Sequence, residues 1–305
     1  MTLRVMVTGA TGFVGRPLVD RLAALGHEVA AVANAATPTA ATRSYVVDVR
    51  DRAAVAAAIA DFAPERVVHL AALSHVGESW RRIPDYFAVN VRGAANVFTA
   101  TPAAIPLLFM SSAEVYGLVP DDEQPIREDR EPSPRTPYAL TKAAAEEMAL
   151  ARGATVVRSF NLIGAGQTVN FALPDFAQQL ARVERREQLP VLRVGNLSAR
   201  RDFIAVEEAI EALARLVESP PPGEVFNLAS GSCPSIAEML ARLVAISGLT
   251  IELEEDPARL RPVDVPCLCG DPSRLAARGW RSSGDLDGAL AALWHDARAA
   301  ASCAQ

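Results

Sequence analysis

Tyr138 and Lys142 stand four residues apart in Tyr138-Ala139-Leu140-Thr141-Lys142, so on a helix they set a phenol and an ammonium one turn apart on one face. Far upstream, the apolar run Leu3-Arg4-Val5-Met6-Val7 leads into Thr8-Gly9-Ala10-Thr11-Gly12-Phe13-Val14-Gly15. A strand feeding such a glycine turn into a helix is a dinucleotide cradle. Gly9 permits the tight turn, Gly12 lets backbone amides reach a pyrophosphate, and Gly15 allows close helix–strand packing. The helix start adds unpaired N–H groups and partial positive charge. The two stretches complete each other chemically. A ketone receiving a hydride gathers negative charge on oxygen and needs a proton there. A phenol with an ordinary pKa near ~10 is a slow acid at neutral pH. A neighbouring ammonium and a charged nicotinamide stabilise the phenolate and lower that value. Ser112, at the end of Leu107-Leu108-Phe109-Met110-Ser111, can hydrogen-bond the same oxygen. The plainer alternative is an ordinary amphipathic helix beginning at Pro137.

The elements needed to position these groups are legible. Strands are expected at 3–7, 29–33, 45–47, 67–70, 107–111 and 155–160, with helices near 12–25, 52–62, 86–101 and 137–152. That alternation predicts an α/β fold of Rossmann type, a doubly wound parallel sheet with helices on both faces. Right-handed crossovers then gather Gly9, Asp48, Ala71, Ser112 and Asn161 at the carboxyl edge. Past Phe160 the texture changes to helices near 173–187, 206–219 and 235–246, and 224–228 reads as a strand returning to the sheet. The expected division is a dinucleotide domain over 1–164, rejoined by 196–229, interleaved with a smaller substrate domain from 165–195 and 230–305.

Composition narrows the class. The 305 residues are half apolar and carry a formal net charge of −6, with no basic face, so no nucleic-acid partner is expected. The slightly positive mean hydropathy of +0.15 comes largely from alanine-rich helix such as Ala53-Ala54-Val55-Ala56-Ala57-Ala58. No apolar run is long enough for a bilayer, and no signal-peptide pattern is visible. Cys233, Cys267, Cys269 and Cys303 lack metal-ligand spacing, so no metal is expected, and Cys267-Leu268-Cys269 reads as strand. These features predict a soluble cytoplasmic protein.

The chain resembles the extended branch of the short-chain dehydrogenase/reductases that act on nucleotide sugars. The resemblance rests on the glycine turn, Asp48-Val49-Arg50-Asp51, His69-Leu70-Ala71-Ala72, Ser111-Ser112-Ala113-Glu114-Val115-Tyr116-Gly117, Tyr138/Lys142 and Arg201-Asp202-Phe203. Within that branch, Phe160-Asn161-Leu162-Ile163-Gly164-Ala165-Gly166-Gln167, Val194–Phe203 and Leu260-Arg261-Pro262-Val263-Asp264-Val265-Pro266 are similar to the GDP-4-keto-6-deoxy-D-mannose reductase family. That family makes GDP-D-rhamnose with NADPH or NADH. The resemblance implies Ser112, Tyr138 and Lys142 as catalytic residues. It gives the cofactor Gly9, Thr11, Gly12, Phe13, Val14, Gly15, Asp48, Val49, Leu70, Ala71 and Ala72, besides Tyr138 and Lys142. Arg201 and Arg261 would grip the diphosphate, for which arginine is the best-suited side chain. Asn161 would hold sugar or phosphate and Asp264 the nucleoside ribose, with Ser74, His75, Glu114 and Asn196 completing the GDP-sugar site.

Some positions depart from the pattern. Glutamate is commoner than aspartate where Asp264 stands. The second strand ends at Asn34 without an acid to hold an NAD ribose, which favours NADPH over NADH, and Arg16 or Arg43 could meet its 2′-phosphate. His75 lies on a loop facing the sugar or on the surface. Glu114 is carried both by related 4,6-dehydratases, where it acts as a base, and by the reductases that the chain resembles, so it does not separate them. The alternatives are a 4-epimerase or 4,6-dehydratase with tightly held NAD, and a non-catalytic dinucleotide sensor. Reduction from the opposite face would give GDP-6-deoxy-D-talose. A homodimer is expected through the helices 86–101 and 137–152, with Ala139, Ala143, Ala144, Ala145 and Ala149 allowing close approach.

Overall fold

A computed structural model describes residues 1–36, 39–260 and 265–302. The chain opens with β1 (Arg4–Thr8), α1 (Gly15–Ala24), β2 (Glu28–Ala33), β3 (Arg43–Val46), α2 (Arg52–Phe62) and β4 (Arg66–His69). Short helices α3 (Val76–Ser79) and α4 (Ile83–Tyr86) lead through a π-helical turn, Phe87–Gly93, into α5 (Ala94–Ala100). Next come β5 (Leu107–Ser112), α6 (Pro137–Ala151), β6 (Thr155–Ser159), β7 (Asn161–Ile163), α7 (Ala172–Glu184) and β8 (Val191–Val194). The remainder is β9 (Arg200–Arg201), β10 (Phe203–Ala205), α8 (Val206–Glu218), β11 (Val225–Leu228), α9 (Ile236–Ser247) and β12 (Glu252–Glu255). It closes with β13 (Cys267–Leu268), α10 (Ser273–Ala277) and α11 (Leu286–Ser302).

Seven strands form one sheet in the order β11-β6-β5-β4-β1-β2-β3, and every pairing within it is parallel. Both faces are covered, so the inner strands are almost continuously apolar; Val5, Val7, Val29 and Val68 have no exposure. On one face α1 and α8 pack Leu18, Val19 and Leu22 with Ile210, Leu213 and Val217. On the other, α2, α5 and α6 bring Ile59, Phe62, Val97, Phe98, Ala145 and Ala149 against Met6, Val67 and Phe109. Each such aliphatic or aromatic side chain removed from water contributes about 1.5–3 kcal/mol. A second core lies among α7, α9 and α11, built on Leu180, Leu240, Leu243, Leu290 and Trp294. Leu275 and Trp280, although late in the chain, pack on the first core beside α8. Three two-stranded pairs, β7 with β10, β8 with β12 and β9 with β13, knit the intervening loops together.

The strand order reverses at β1 and β4, whose carboxyl ends meet at Thr8 and His69. A crevice at such a switch point is where open α/β sheets bind ligands. Local signals fix the flanking helices: Asp51 caps α2, Thr136 caps α6 ahead of Pro137, and Ser235 with Glu238 forms a capping box on α9.

Three expectations need correction. The helix expected over 86–101 is interrupted by the π turn, where the Asn90 amide nitrogen donates to the Leu73 carbonyl and its oxygen accepts from the Leu73 N–H. Those long-range bonds reward a register that local periodicity does not show. The helix α11 was not expected, although Leu286, Leu290, Leu293 and Trp294 form a buried stripe. Ala139, Ala145 and Ala149 are spent inside, against the sheet, leaving Leu140 and Ala144 on the outer face of α6.

Candidate active site

Gly9 adopts φ +70°, and a Cβ there would stand 2.7 Å from the Ala71 nitrogen; a Cβ on Gly15 would stand 2.0 Å from the Gly9 carbonyl oxygen. Both contacts are with backbone, which cannot swing aside, so the cradle exists only with glycine. The Gly12 N–H donates to the Gly9 carbonyl and the Arg16 N–H to the Gly12 carbonyl, continuing the turn into α1. Gly9, Gly12, Phe13, Val14 and Gly15 then line a cavity of about 400 Å³ together with Leu70, Ala72 and Ser74. Ser112, Glu114, Tyr138, Lys142 and Asn161 line the same cavity. Residues from β1, β4, β5, α6 and β7 thus meet at the sheet's carboxyl edge.

A second cavity of about 530 Å³ adjoins the first, sharing Asn161, Leu162, Gln167 and Phe171, and holds His75, Asn196 and Arg201. Arg261 and Asp264 lie outside the described residues. Thr11, Asp48, Val49 and Ala71 do not line either cavity. The Asp48 carboxylate is held by Arg50, which keeps it below the usual carboxylate range. Val49 is buried, and its carbonyl accepts from Asn96.

The Tyr138 phenol departs from expectation. Burial pushes it up to about 12, with Glu114 and Tyr86 adding to the rise, and a hydrogen bond from Ser112 opposes them. The Glu114 N–H donates to Ser112 Oγ at 3.2 Å, which leaves the serine's own proton for Tyr138. Lys142 is not the group that lowers the phenol here. Its ammonium donates to the Met110 carbonyl and stands 4.4 Å over the Phe109 ring. Burial pulls Lys142 down to about 7, against the opposing pull of the Glu146 carboxylate. His69, wedged between Phe98 and Phe109, is pushed down to about 3 by burial and then by Lys142, and Thr8 Oγ1 lies 2.7 Å from its Nδ1.

The Arg201 guanidinium donates to the Arg200 carbonyl, while the Asp202 carboxylate accepts from the Ser230, Gly231 and Gly270 N–H groups. His75 caps α3: its Nδ1 accepts from the Glu78 N–H, and its Nε2 lies 2.7 Å from the Asn170 carbonyl. Both ring nitrogens are therefore engaged, and His75 shapes the cavity wall. Arg43 is taken by Asp61 and Tyr45, whereas Arg16 is exposed and its side chain carries no bond among the described residues.

Sequence reading missed two features. Lys142 is the only lysine in the chain, since 29 of its 30 basic residues are arginine, a signal that counting alone would have found. Glu146 and Arg158 form a buried ion pair behind it, which only the fold brings together.

Fold and site together define a dinucleotide-binding enzyme of the extended short-chain dehydrogenase/reductase type. Residues 5–229 match the NAD dependent epimerase/dehydratase family, and the chain belongs to it. It is 34% identical to GDP-6-deoxy-D-mannose reductase of Pseudomonas aeruginosa, over 97% of each chain. It is 28% identical to GDP-6-deoxy-D-talose 4-dehydrogenase of Aggregatibacter actinomycetemcomitans, over 90% of each. The solved structure of RMD from Pseudomonas aeruginosa complexed with NADPH superposes with a TM-score of 0.87, at 31% identity, covering 98% of this chain and 100% of that one. Among the described residues no helix is long and apolar enough to cross a membrane, and no group of His, Cys, Asp and Glu could hold a metal ion.

The glycine cradle yields the first prediction. Gly15→Ala should abolish saturable NADPH binding in fluorescence titration and lower the melting temperature, because its Cβ meets a backbone carbonyl. Wild-type affinity in this variant would show that the turn is not the pyrophosphate site.

Proposed function

We propose that this protein reduces the 4-keto group of a GDP-4-keto-6-deoxyhexose with NADPH or NADH, giving GDP-D-rhamnose. The observation that carries the reading is one cavity holding the glycine cradle with Ser112, Tyr138 and Lys142, opening onto a second cavity that presents Asn196 and Arg201. The similarity to GDP-6-deoxy-D-mannose reductase over nearly the whole chain supports the same substrate class. A bound NAD(P)H supplies the hydride. Tyr138 supplies the proton: a phenol raised to about 12 by burial keeps its proton across the neutral range, ready to give it to an oxygen gathering charge. Ser112 donates to the phenol oxygen and stabilises it as the proton leaves. Asn161 lies where the two cavities join, a position suited to the sugar, and Arg201 lies beyond it, suited to the diphosphate. Exposed and unengaged near the cradle, Arg16 is the residue suited to an NADPH 2′-phosphate.

Glu114, in the same cavity beside Tyr138, is equally compatible with a second reading, a 4,6-dehydratase or 4-epimerase. Such an enzyme recycles its cofactor, whereas a reductase consumes it stoichiometrically. Following NADPH oxidation with the GDP-ketosugar, with product identification by NMR, decides between them.

Further parts of the reading concern assembly. The division into a dinucleotide domain and an interleaved substrate domain is supported by the separate core among α7, α9 and α11. A homodimer is supported by Ile83, Phe87 and Leu140, three exposed apolar side chains on the neighbouring α4, π turn and α6. The thiols Cys233, Cys267 and Cys269 are free, which suits a reducing cytoplasm.

Three outcomes are expected. Tyr138→Phe keeps ring and packing but loses the proton, so kcat should fall roughly 10²–10⁴-fold while NADPH still binds; near-wild-type turnover removes Tyr138 as donor. Arg201→Ala should weaken GDP binding roughly ten- to a hundredfold in calorimetric titration and leave NADPH affinity alone. Equal loss of both ligands would point to misfolding instead. In light scattering the wild type should show twice the chain mass and Leu140→Glu the single-chain mass. A monomeric wild type at micromolar concentration overturns the dimer.

A further inference from the structure

Behind the reacting residues lies a buried ion pair that proton donation by Tyr138 does not use. Glu146 follows Lys142 by one helical turn on α6 and is 1% exposed; Arg158, from β6, is 3% exposed. The Arg158 guanidinium donates to Glu146 Oε1 through Nε at 2.9 Å and Nη2 at 2.6 Å, and the Ser111 hydroxyl donates to Oε2. Arg158 is itself held by the Glu128 carbonyl and stands 4.7 Å over the Tyr116 ring. Both carboxylate oxygens are thus fixed by groups from the two strands beneath Lys142. We infer that the Glu146–Arg158 pair is a positioning device that sets whether Lys142 carries its proton.

The geometry leaves few other candidates. The ionisable groups acting on Lys142 are Glu146, from its own helix, and His69, from β4. Glu114 and Tyr86 act on Tyr138 instead. On α3 and α4, Glu78 and Asp85 pair with Arg82, and Arg92 of the π turn acts on Asp48. His69 stays neutral in its apolar slot and supplies no negative charge. Glu146 is therefore the one described carboxylate that counters the cost of burying this ammonium, and Arg158 with Ser111 holds that carboxylate in place. A buried pair without partners of its own is costly, so the hydrogen bonds from Ser111 to Glu146 and from Arg158 to the Glu128 carbonyl offset its desolvation. Burial, countered in part by Glu146, leaves Lys142 at about 7, near the middle of its titration at neutral pH. A change in the carboxylate consequently changes the proton occupancy rather than leaving it saturated.

The inference rests on the reading of Lys142 as part of a reduction centre, but its test does not require turnover. Because Lys142 is the sole lysine, ε-¹⁵N-lysine labelling gives one side-chain signal, and its midpoint can be followed by NMR in the protein without substrate. Glu146→Gln removes the negative charge and leaves Arg158 positive, so the midpoint should fall by roughly one pH unit. Glu146→Asp keeps the charge and should titrate close to wild type. The double variant Glu146→Gln with Arg158→Gln replaces both charges by amides and should titrate between Glu146→Gln and wild type. It also serves where an unpaired Arg158 prevents the single variant from folding. The alkaline limb of kcat should move the same way in each. Wild-type midpoints in the neutralised variants, with only the melting temperature lowered, would show a purely structural pair and overturn the inference. Absence of ketosugar reduction by the wild type at every pH overturns the proposed function and leaves the titration result standing.

Discussion

An ammonium taken out of water is the constraint around which this sheet edge is arranged. Lys142 is 4% exposed, and the effective penalty for burying such a charge is several kcal/mol. The Met110 carbonyl and the face of Phe109 recover part of it, so β5 must run directly under α6. Glu146 recovers more, but a carboxylate at that depth needs donors, which come from Ser111 on β5 and Arg158 on β6. Arg158 in turn needs the Glu128 carbonyl and the Tyr116 ring. The Tyr116 hydroxyl donates to Asn227 on β11, whose own N–H donates to the Glu128 carboxylate. A relay of satisfied polar groups thus runs from the site to the edge strand, and each member fixes the next strand's neighbour.

The parts of this architecture that were legible in the sequence are those with local causes. Strands buried on both faces read as short apolar runs, and the glycine turn declares itself because only glycine tolerates the Gly9–Gly15 approach. Placing Gly9, Ser112 and Asn161 in one cavity followed from strand ends, although Asp48 and Ala71, expected at the same edge, do not line it. What stayed hidden has tertiary causes. The π turn exists because Asn90 bonds Leu73 and Thr141, residues far off in sequence. The direction of the Tyr138 shift depends on how deeply α6 is covered, which the spacing of Tyr138 and Lys142 does not encode. Nothing local marks Glu146 on α6 or Arg158 on β6; they become partners only where α6 lies over the sheet, with the β5–β6 register setting Ser111 beside Arg158.

That one lysine survives among 29 arginines fits the physics of its position. A guanidinium is planar, broad and permanently charged, whereas an ammonium is compact and can titrate. Between a carbonyl and a ring face there is room for a point charge, and an environment that draws the group to about 7 has meaning only for one able to release a proton. Elsewhere the chain uses cations as forks: Arg50 on Asp48, Arg158 on Glu146 and Arg21 on Glu211. The choice of residue therefore separates the permanently charged cations from the one that can titrate.

The second cavity gains its shape from a different buried charge. Asp202 has no exposure, and burial raises its carboxyl against the lowering effect of its hydrogen bonds. Those bonds come from two loops: the Ser230 N–H and hydroxyl with the Gly231 N–H after β11, and the Gly270 N–H after β13. The Asp202 backbone also ties β7 through the Asn161 N–H and β13 through the Leu268 carbonyl. Asp202 sits between Arg201 and Phe203, both of which line that cavity. The Arg201–Phe203 segment of its wall is therefore tied at one point to the loops after β11 and β13, beside the junction marked by Asn161. A ligand spanning the two cavities meets a wall already set, so little ordering is left to be done on binding and more of the contact energy appears as affinity.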